Sequence, residues 1–397
     1  MLTPRSTLTR RLVAALDATP SRIPVLLGGC GSGRTTALRQ IHDRIGRTAS
    51  QFIDVERTAT TPERFLRAVT AASPFPGATS TGDTVASGAR GAFDAALALF
   101  GRPRAGTTEP ATFLLDEFLE LRTFESFPGL RRVLRELIDT FASSPNRFLL
   151  TSRYTARALR LLRDQSARFE VIHIPALTAD DVLDVLGLNA SAPAGAGGPG
   201  GGGPGGSVGF EDPGFTARTL QALAEGRPAY VGAVADELAA MRDHGGPGTS
   251  DAISALSALM AADGRISRLC QFSYELRLHR ARGYGALKAI LEILAEQEGL
   301  TLTEISQRLQ RTPGSTKDYL SWLEDVDLVT SRQKRYSFTD ALLRLWVRLH
   351  CRPTAPVEDE IAREIHRYAL PRLPQASEPA YVMVAAGGGK SGIIEID

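Results

Sequence analysis

The chain has 397 residues, a formal net charge of +2, 38 glycines and three cysteines. That length holds two or three domains with a core each, while the near-neutral charge gives no global electrostatic case for nucleic acid or acidic membranes. Cys30, Cys270 and Cys351 stand too far apart for a disulfide framework or a metal cluster.

No apolar run reaches the roughly eighteen residues a membrane span needs, and no apolar leader core follows Met1. A soluble, cytoplasmic protein without membrane partners is expected. Residues 7–18 have helical apolar spacing. Next comes Ile23 to Thr36, reading I-P-V-L-L-G-G-C-G-S-G-R-T-T, which predicts strand, glycine-rich loop and helix. The spacing of Gly28, Gly33, Arg34 and Thr35 fits the phosphate-binding template G-x-x-x-x-G-K-[ST], with arginine where lysine is expected. Glycines at 28, 29, 31 and 33 let backbone amides turn inward around an anion. The helix beginning near Arg34 points its positive dipole end at the same place. Residues Gly28, Gly29, Cys30, Gly31, Ser32, Gly33, Arg34, Thr35 and Thr36 are therefore the candidate phosphate cradle, with the Thr35 hydroxyl placed for Mg²⁺. Arginine grips phosphate oxygens with a planar fork where lysine offers a point charge, so binding survives the exchange more readily than hydrolysis does. Cys30 reads either as an oxidation-sensitive thiol or as a small residue the loop tolerates.

Gln51–Val55 is a short strand ending in acidic residues, and Thr61-Pro62-Glu63 opens a helix with a cap and a first-turn proline. Residues 73–91 read as a loop and Ala92–Phe100 as a helix. The strand Thr112–Leu115 delivers Asp116 and Glu117 at its C-terminal edge, the Walker B pattern. Asp116 is the candidate magnesium ligand and Glu117 the residue that orients and deprotonates water. An amphipathic helix over Leu130–Phe141 leads to a strand, Arg147–Leu150, tipped by Thr151, Ser152 and Arg153. Arg153 reads either as a sensor of a terminal phosphate or as a solvated first-turn residue. Phe169–Ile174 is a fifth strand, in which His173 reads as a sheet residue.

Beyond Pro175 the pattern turns helical. Thr178 caps a helix over Val182–Leu186, and helices follow at 215–225, 228–242, 251–262 and 266–282. Residues 189–209, rich in glycine and proline, read as a disordered tether. From 285 to 340 the order is helix (Ala286–Gln297), helix capped by Thr303, helix capped by Ser315, and a hairpin of Leu328–Thr330 with Tyr336–Phe338: a winged helix-turn-helix. Only the hairpin tip (Arg332, Lys334, Arg335) is basic, whereas the third helix carries Asp318, Glu324 and Asp325 beside Lys317. DNA contact is thereby less favoured than a protein-docking or autoinhibitory role. Helices near 341–349 and 358–369 complete the pattern, and Gly389-Lys390-Ser391 lacks the glycine and the helix of a second phosphate loop.

These stretches together resemble the AAA+/STAND group of P-loop ATPases, in its archaeal-ATPase-like branch. The carriers are residues 28–36, F-L-L-D-E-F (113–118), F-L-L-T-S-R (148–153), G-R-P (226–228) and Y-S-F-T-D-A-L-L-R-L-W (336–346). The resemblance implies an α/β fold: a five-stranded parallel sheet with an extra central strand beside the P-loop strand, a helical lid, and a winged helix. It implies ATP and ADP as ligands, Mg²⁺ as cofactor, and Gly226 and Pro228 as lid positions at the nucleotide. The expected domains are 1–176, 177–283, 284–350 and a tail, 351–397. An ATP-driven switch with a weakened ATPase is expected, with a protein partner and an oligomer as open possibilities. A nucleotide-gated DNA-binding regulator and a non-hydrolysing interaction module stand as alternatives. Some relatives continue into a nuclease-like domain that contains an E-I-D motif, and Glu395-Ile396-Asp397 is read here as a remnant or a tail, so no complete nuclease core is expected.

Overall fold

The computed structural model describes residues 5–75, 88–104, 109–187, 212–244, 251–279 and 283–374. The expected tether at 189–209 and the G-K-S stretch at 389–391 lie outside the described residues. So does most of the loop expected over 73–91, whose last residues belong to a helix beginning at Gly88.

Helix α1 (Ser6–Asp17) leads into strand β1 (Ile23–Leu27) and helix α2 (Arg34–Ile45). Strand β2 (Ser50–Asp54), a single turn α3 (Val55–Thr58), α4 (Pro62–Ala71) and α5 (Gly88–Gly101) follow. Strand β3 (Thr112–Asp116) runs into a 3₁₀ segment over Phe118–Ser126 that the apolar periodicity did not predict. Then come α6 (Val133–Ser143), β4 (Arg147–Ser152), α7 (Thr155–Leu162) and β5 (Phe169–His173). The five strands form one parallel sheet in the order β2-β3-β4-β1-β5, so β4 is inserted beside the glycine-loop strand as expected.

The central strands β1, β3 and β4 carry apolar runs because both faces of the sheet are covered there, while the edge strands β2 and β5 are mixed. Leu26, Leu114, Leu149 and Ile172 point to one face, where Leu8, Leu12, Leu38 and Ile41 of α1 and α2 cover them. The alternate residues Val25, Leu27, Phe113, Leu115, Phe148 and Leu150 point to the other. There phenylalanines interlock: the Phe100 ring meets Phe113 edge-on at 5.1 Å, and Phe141 stacks on Phe148 at 4.2 Å. This packing fixes where the C-terminal ends of β1, β3 and β4 stand relative to one another.

A helical unit comes next: α8 (Ala179–Val185), α9 (Pro213–Leu223), α10 (Pro228–His244), α11 (Ala252–Met260) and α12 (Arg265–Leu278). The last unit comprises α13 (Tyr284–Glu296), β6 (Leu300–Thr301), α14 (Leu302–Leu309), α15 (Pro313–Asp325), β7 (Val329–Arg332) and β8 (Arg335–Phe338), followed by α16 (Ala341–His350) and α17 (Glu358–Ala369). Two caps differ from expectation. Thr301, rather than Thr303, caps α14, because Glu304 completes a capping box with it. Thr312, rather than Ser315, caps α15, because Pro313 already occupies the first helical position. The hairpin is also wider than expected, since β6 adds a third antiparallel strand to β8. Among the described residues no helix is long and apolar enough to cross a membrane.

Candidate functional site

Three strand ends meet at the site: the loop after β1, the acidic pair after β3 and the polar tip of β4. In parallel α/β sheets this edge, beside a strand inserted out of sequence order, is where a crevice opens. Gly31 and Gly33 have φ of 73° and 88°, a left-handed backbone that glycine adopts without penalty. The first turn of α10 sits directly on the loop: the Ala229 amide donates to the Gly31 carbonyl at 3.2 Å. A β-carbon on Gly31 would lie 2.9 Å from the Ala229 methyl.

Across the crevice the Thr35 hydroxyl donates to Asp116 Oδ2 at 2.7 Å, and the Thr151 hydroxyl donates to Asp116 Oδ1 at 2.5 Å. Thr151 in turn accepts from the Glu117 amide at 3.1 Å, which holds Glu117 in a left-handed conformation with φ of 57°. Burial raises the Asp116 carboxyl above the usual range, against the two threonine hydroxyls.

Arg34 does not stand open toward the crevice. One terminal nitrogen donates to the carbonyls of Gly28 and Gly29 and, at 3.2 Å, to the Ser32 hydroxyl. The other donates to Glu117 Oε1 at 2.6 Å, in an ion pair whose two residues are 7% and 5% exposed. The second Glu117 oxygen accepts from the Arg153 amide at 3.0 Å and lies 3.2 Å from Arg153 Nε. Arg153 also pairs with Glu56, just beyond β2. Burial alone would raise the Glu117 carboxyl; the Arg34 and Arg153 guanidiniums outweigh it and hold the group below the ordinary range. With Arg153 only 5% exposed, the solvated alternative is excluded.

The loop residues 28–36, Asp116, Glu117 and Arg153 therefore come together. Thr35, Asp54, Glu56, Asp116, Glu117 and Arg153 line a cavity of about 300 Å³. A second, of about 470 Å³, runs between residues 31–36 and the Pro228–Arg265 side, reaching Thr36 and Gly232. Pro228 borders the loop as well, whereas Gly226, expected there with it, lies against the backbone of Leu177 and lines neither cavity. Gly226 has φ of 60° and its carbonyl accepts from the Leu177 amide at 2.7 Å; Pro228 is the first residue of α10, packed toward Gly33.

Sequence reading gave no role to four participants. Glu56 and Thr151 are polar residues beside recognised ones, and Thr151 is named there only as part of the β4 tip. Arg227, quoted only within the G-R-P tripeptide, and Arg277 have partners distant in sequence. Arg227 donates to the Cys30 carbonyl at 3.4 Å and the Thr339 carbonyl at 2.7 Å, and pairs with Asp340 at 3.0 Å. Arg277, on α12, donates to the Asp327 carbonyl at 2.8 Å and to Cys30 Sγ at 3.3 Å. Burial of the Cys30 thiol is outweighed by Arg277 and Arg153, and its pKa falls. Two arginines thus tie one residue of the glycine loop to both ends of the β7–β8 hairpin.

The sheet order, the glycine loop before α2 and the acidic strand tip define a P-loop NTPase fold. No protein-family model and no curated protein matches the chain. Solved structures do. The Walker-type ATPase PABY2304 of Pyrococcus abyssi matches 88% of this chain and 96% of its own at 15% identity, with a TM-score of 0.57. The Orc1 protein of Aeropyrum pernix, solved in complex with DNA, matches 87% of this chain and 92% of its own at 16% identity and a TM-score of 0.45. RuvB of Thermotoga maritima matches 84% and 92% at 13% identity and 0.41. At these identities the likeness is one of fold.

Proposed function

We propose that the chain is an ATP-binding switch of the AAA+/STAND kind, in which Arg34 restrains the catalytic glutamate until phosphate draws it away. The observation that carries this reading is the Thr35–Asp116 contact at 2.7 Å, which puts the glycine loop and the acidic pair in one pocket. A threonine hydroxyl and a carboxylate suit a hard cation that keeps phosphate and water as its other ligands. Among the described residues no cluster of three or more His, Cys, Asp or Glu side chains competes as a metal site. Thr35 and Asp116 would hold Mg²⁺, which would screen the charge of the terminal phosphates.

The amides of residues 29–35 receive the phosphates. Arg34 exchanges Glu117 and the loop carbonyls for phosphate oxygens, which its forked donors fit. Glu117, released on one side, orients a water and takes its proton as the water oxygen attacks the γ-phosphorus and the bond to ADP breaks. Arg153 lies at the same carboxylate and reads the terminal phosphate. Because Arg227 and Arg277 hold Cys30 and the hairpin ends together, movement of the loop is passed to the unit carrying β7 and β8. Phosphate release by the purified protein tests this. Glu117→Gln abolishes turnover on this reading, and unchanged turnover contradicts the catalytic assignment.

A second reading, a nucleotide-gated DNA-binding regulator, draws support from the exposed basic tip at Arg332, Lys334 and Arg335. Against it, the C-terminal end of α15 faces the sheet domain, where Asp325 pairs with Arg160. Salt-dependent duplex binding lost in the triple alanine variant favours this second reading; no binding at low salt removes it.

A further inference from the structure

A third cavity, of about 420 Å³, lies away from the glycine loop, between the 3₁₀ segment, the start of α7, the end of α12 and α15. Its size suits a small organic ligand. Arg122 and Arg157 stand on its wall with Tyr154 and Trp322. The Arg157 guanidinium packs 5.1 Å from the Tyr154 ring, and it makes no hydrogen bond or ion pair to any described residue; its Nε is buried. Three nearby carboxylates have other hydrogen-bonding partners. Asp325 pairs with Arg160, Glu125 with Arg122 Nε at 3.1 Å, and the Asp327 carboxylate accepts from the Thr155 and Ala156 amides. Among the described residues that line the cavity, Glu120, buried in the same wall, is the one acidic side chain, against Arg122, Arg157 and Arg277. Burial and the like charge of Arg122 depress the Arg157 pKa, and the opposing pull of Asp325 and Glu120 does not make up for it. Trp322 is half-buried, and its indole N–H makes no hydrogen bond to any described residue.

We propose that this cavity is a binding site for a small organic anion, its phosphate or carboxylate head held by Arg157 and Arg122 and its planar body set against Trp322. A guanidinium with idle donors matches such a head by paired N–H contacts. An aromatic wall selects a ring over a bare inorganic ion. Nothing in this requires nucleotide at the glycine loop.

Phenyl phosphate is the probe and Trp322 the reporter, in a Trp346→Phe background that removes the other tryptophan. The full-length protein is expected to show a saturable change in Trp322 emission, at least about tenfold weaker in Arg157→Gln, the scale set by losing one charged hydrogen-bonding contact. Inorganic phosphate alone binds more weakly, and Thr35→Ala titrates like the parent. Since Arg157 has no hydrogen bond or ion pair to a described residue to lose, only its packing on the Tyr154 ring, Arg157→Gln leaves the thermal midpoint of the ligand-free protein little changed. The proposal is overturned by a parent that does not saturate, by an Arg157→Gln that titrates like the parent, or by a Thr35→Ala that abolishes the signal and so places the probe in the glycine loop. A clear fall in the midpoint of Arg157→Gln assigns that residue to structure instead.

Discussion

Arg34 and Glu117 are joined at 2.6 Å in the interior of the site, one from the glycine loop and one from the acidic strand tip. Each is the residue on which the proposed chemistry turns, and in this structure each occupies the other. A lysine at position 34 has no second arm, so it could not reach the Gly28 and Gly29 carbonyls and Glu117 together as the guanidinium does.

Arg34→Lys should therefore raise the rate of phosphate release. A hydrogen bond to a charged group contributes about 1.5–3 kcal/mol, so freeing Glu117 corresponds to roughly ten- to a hundredfold. Steady-state turnover at saturating ATP measures this. A variant as slow as the parent, with its affinity intact, shows that Arg34 does not restrain Glu117.

Gly226→Ala should weaken the seating of α10 on the loop. Its φ of 60° disfavours any side chain, and a β-carbon there would stand 2.6 Å from the Leu177 carbonyl oxygen. A strained left-handed residue costs about 1–3 kcal/mol. Chemical denaturation reads the loss, and a stability equal to the parent's means that the contact relaxes freely.

Asp327 predicts a pH dependence. Its carboxyl, facing Arg277, Arg157 and the Thr155 and Ala156 amides, is pushed up to about 6 by burial, above the unfolded 3.8. The folded chain therefore binds the proton more tightly than the unfolded chain, and this group's contribution to stability is full below about 4 and lost as pH rises through about 6. The thermal midpoint of the parent should fall relative to Asp327→Asn across that window and hold a constant offset above it. A constant offset throughout contradicts the assignment.

The sheet was legible because its central strands, covered on both faces, read as apolar runs, and β1 runs into the glycine loop while β3 and β4 end in the acidic and polar residues that the site uses. The caps of α14 and α15 were misplaced because several hydroxyl residues compete within a few positions, and only the partner acid at Glu304 and the proline at 313 decide between them. Site membership was readable where a motif is continuous, as over residues 28–36. The direction Arg34 faces was not, since it depends on Glu117, which folding alone brings beside it. The same holds for Arg227 and Arg277, whose contacts with Cys30 join three separate parts of the chain.

The most direct test of a single shared pocket is the equilibrium affinity for ATP with and without Mg²⁺, measured by calorimetry in the parent and in Asp116→Asn. Magnesium should tighten binding to the parent by at least about tenfold, or 1.4 kcal/mol, and have little effect on the variant. Equal strengthening in both proteins would mean that the acidic pair and the glycine loop do not meet on one metal-bound triphosphate.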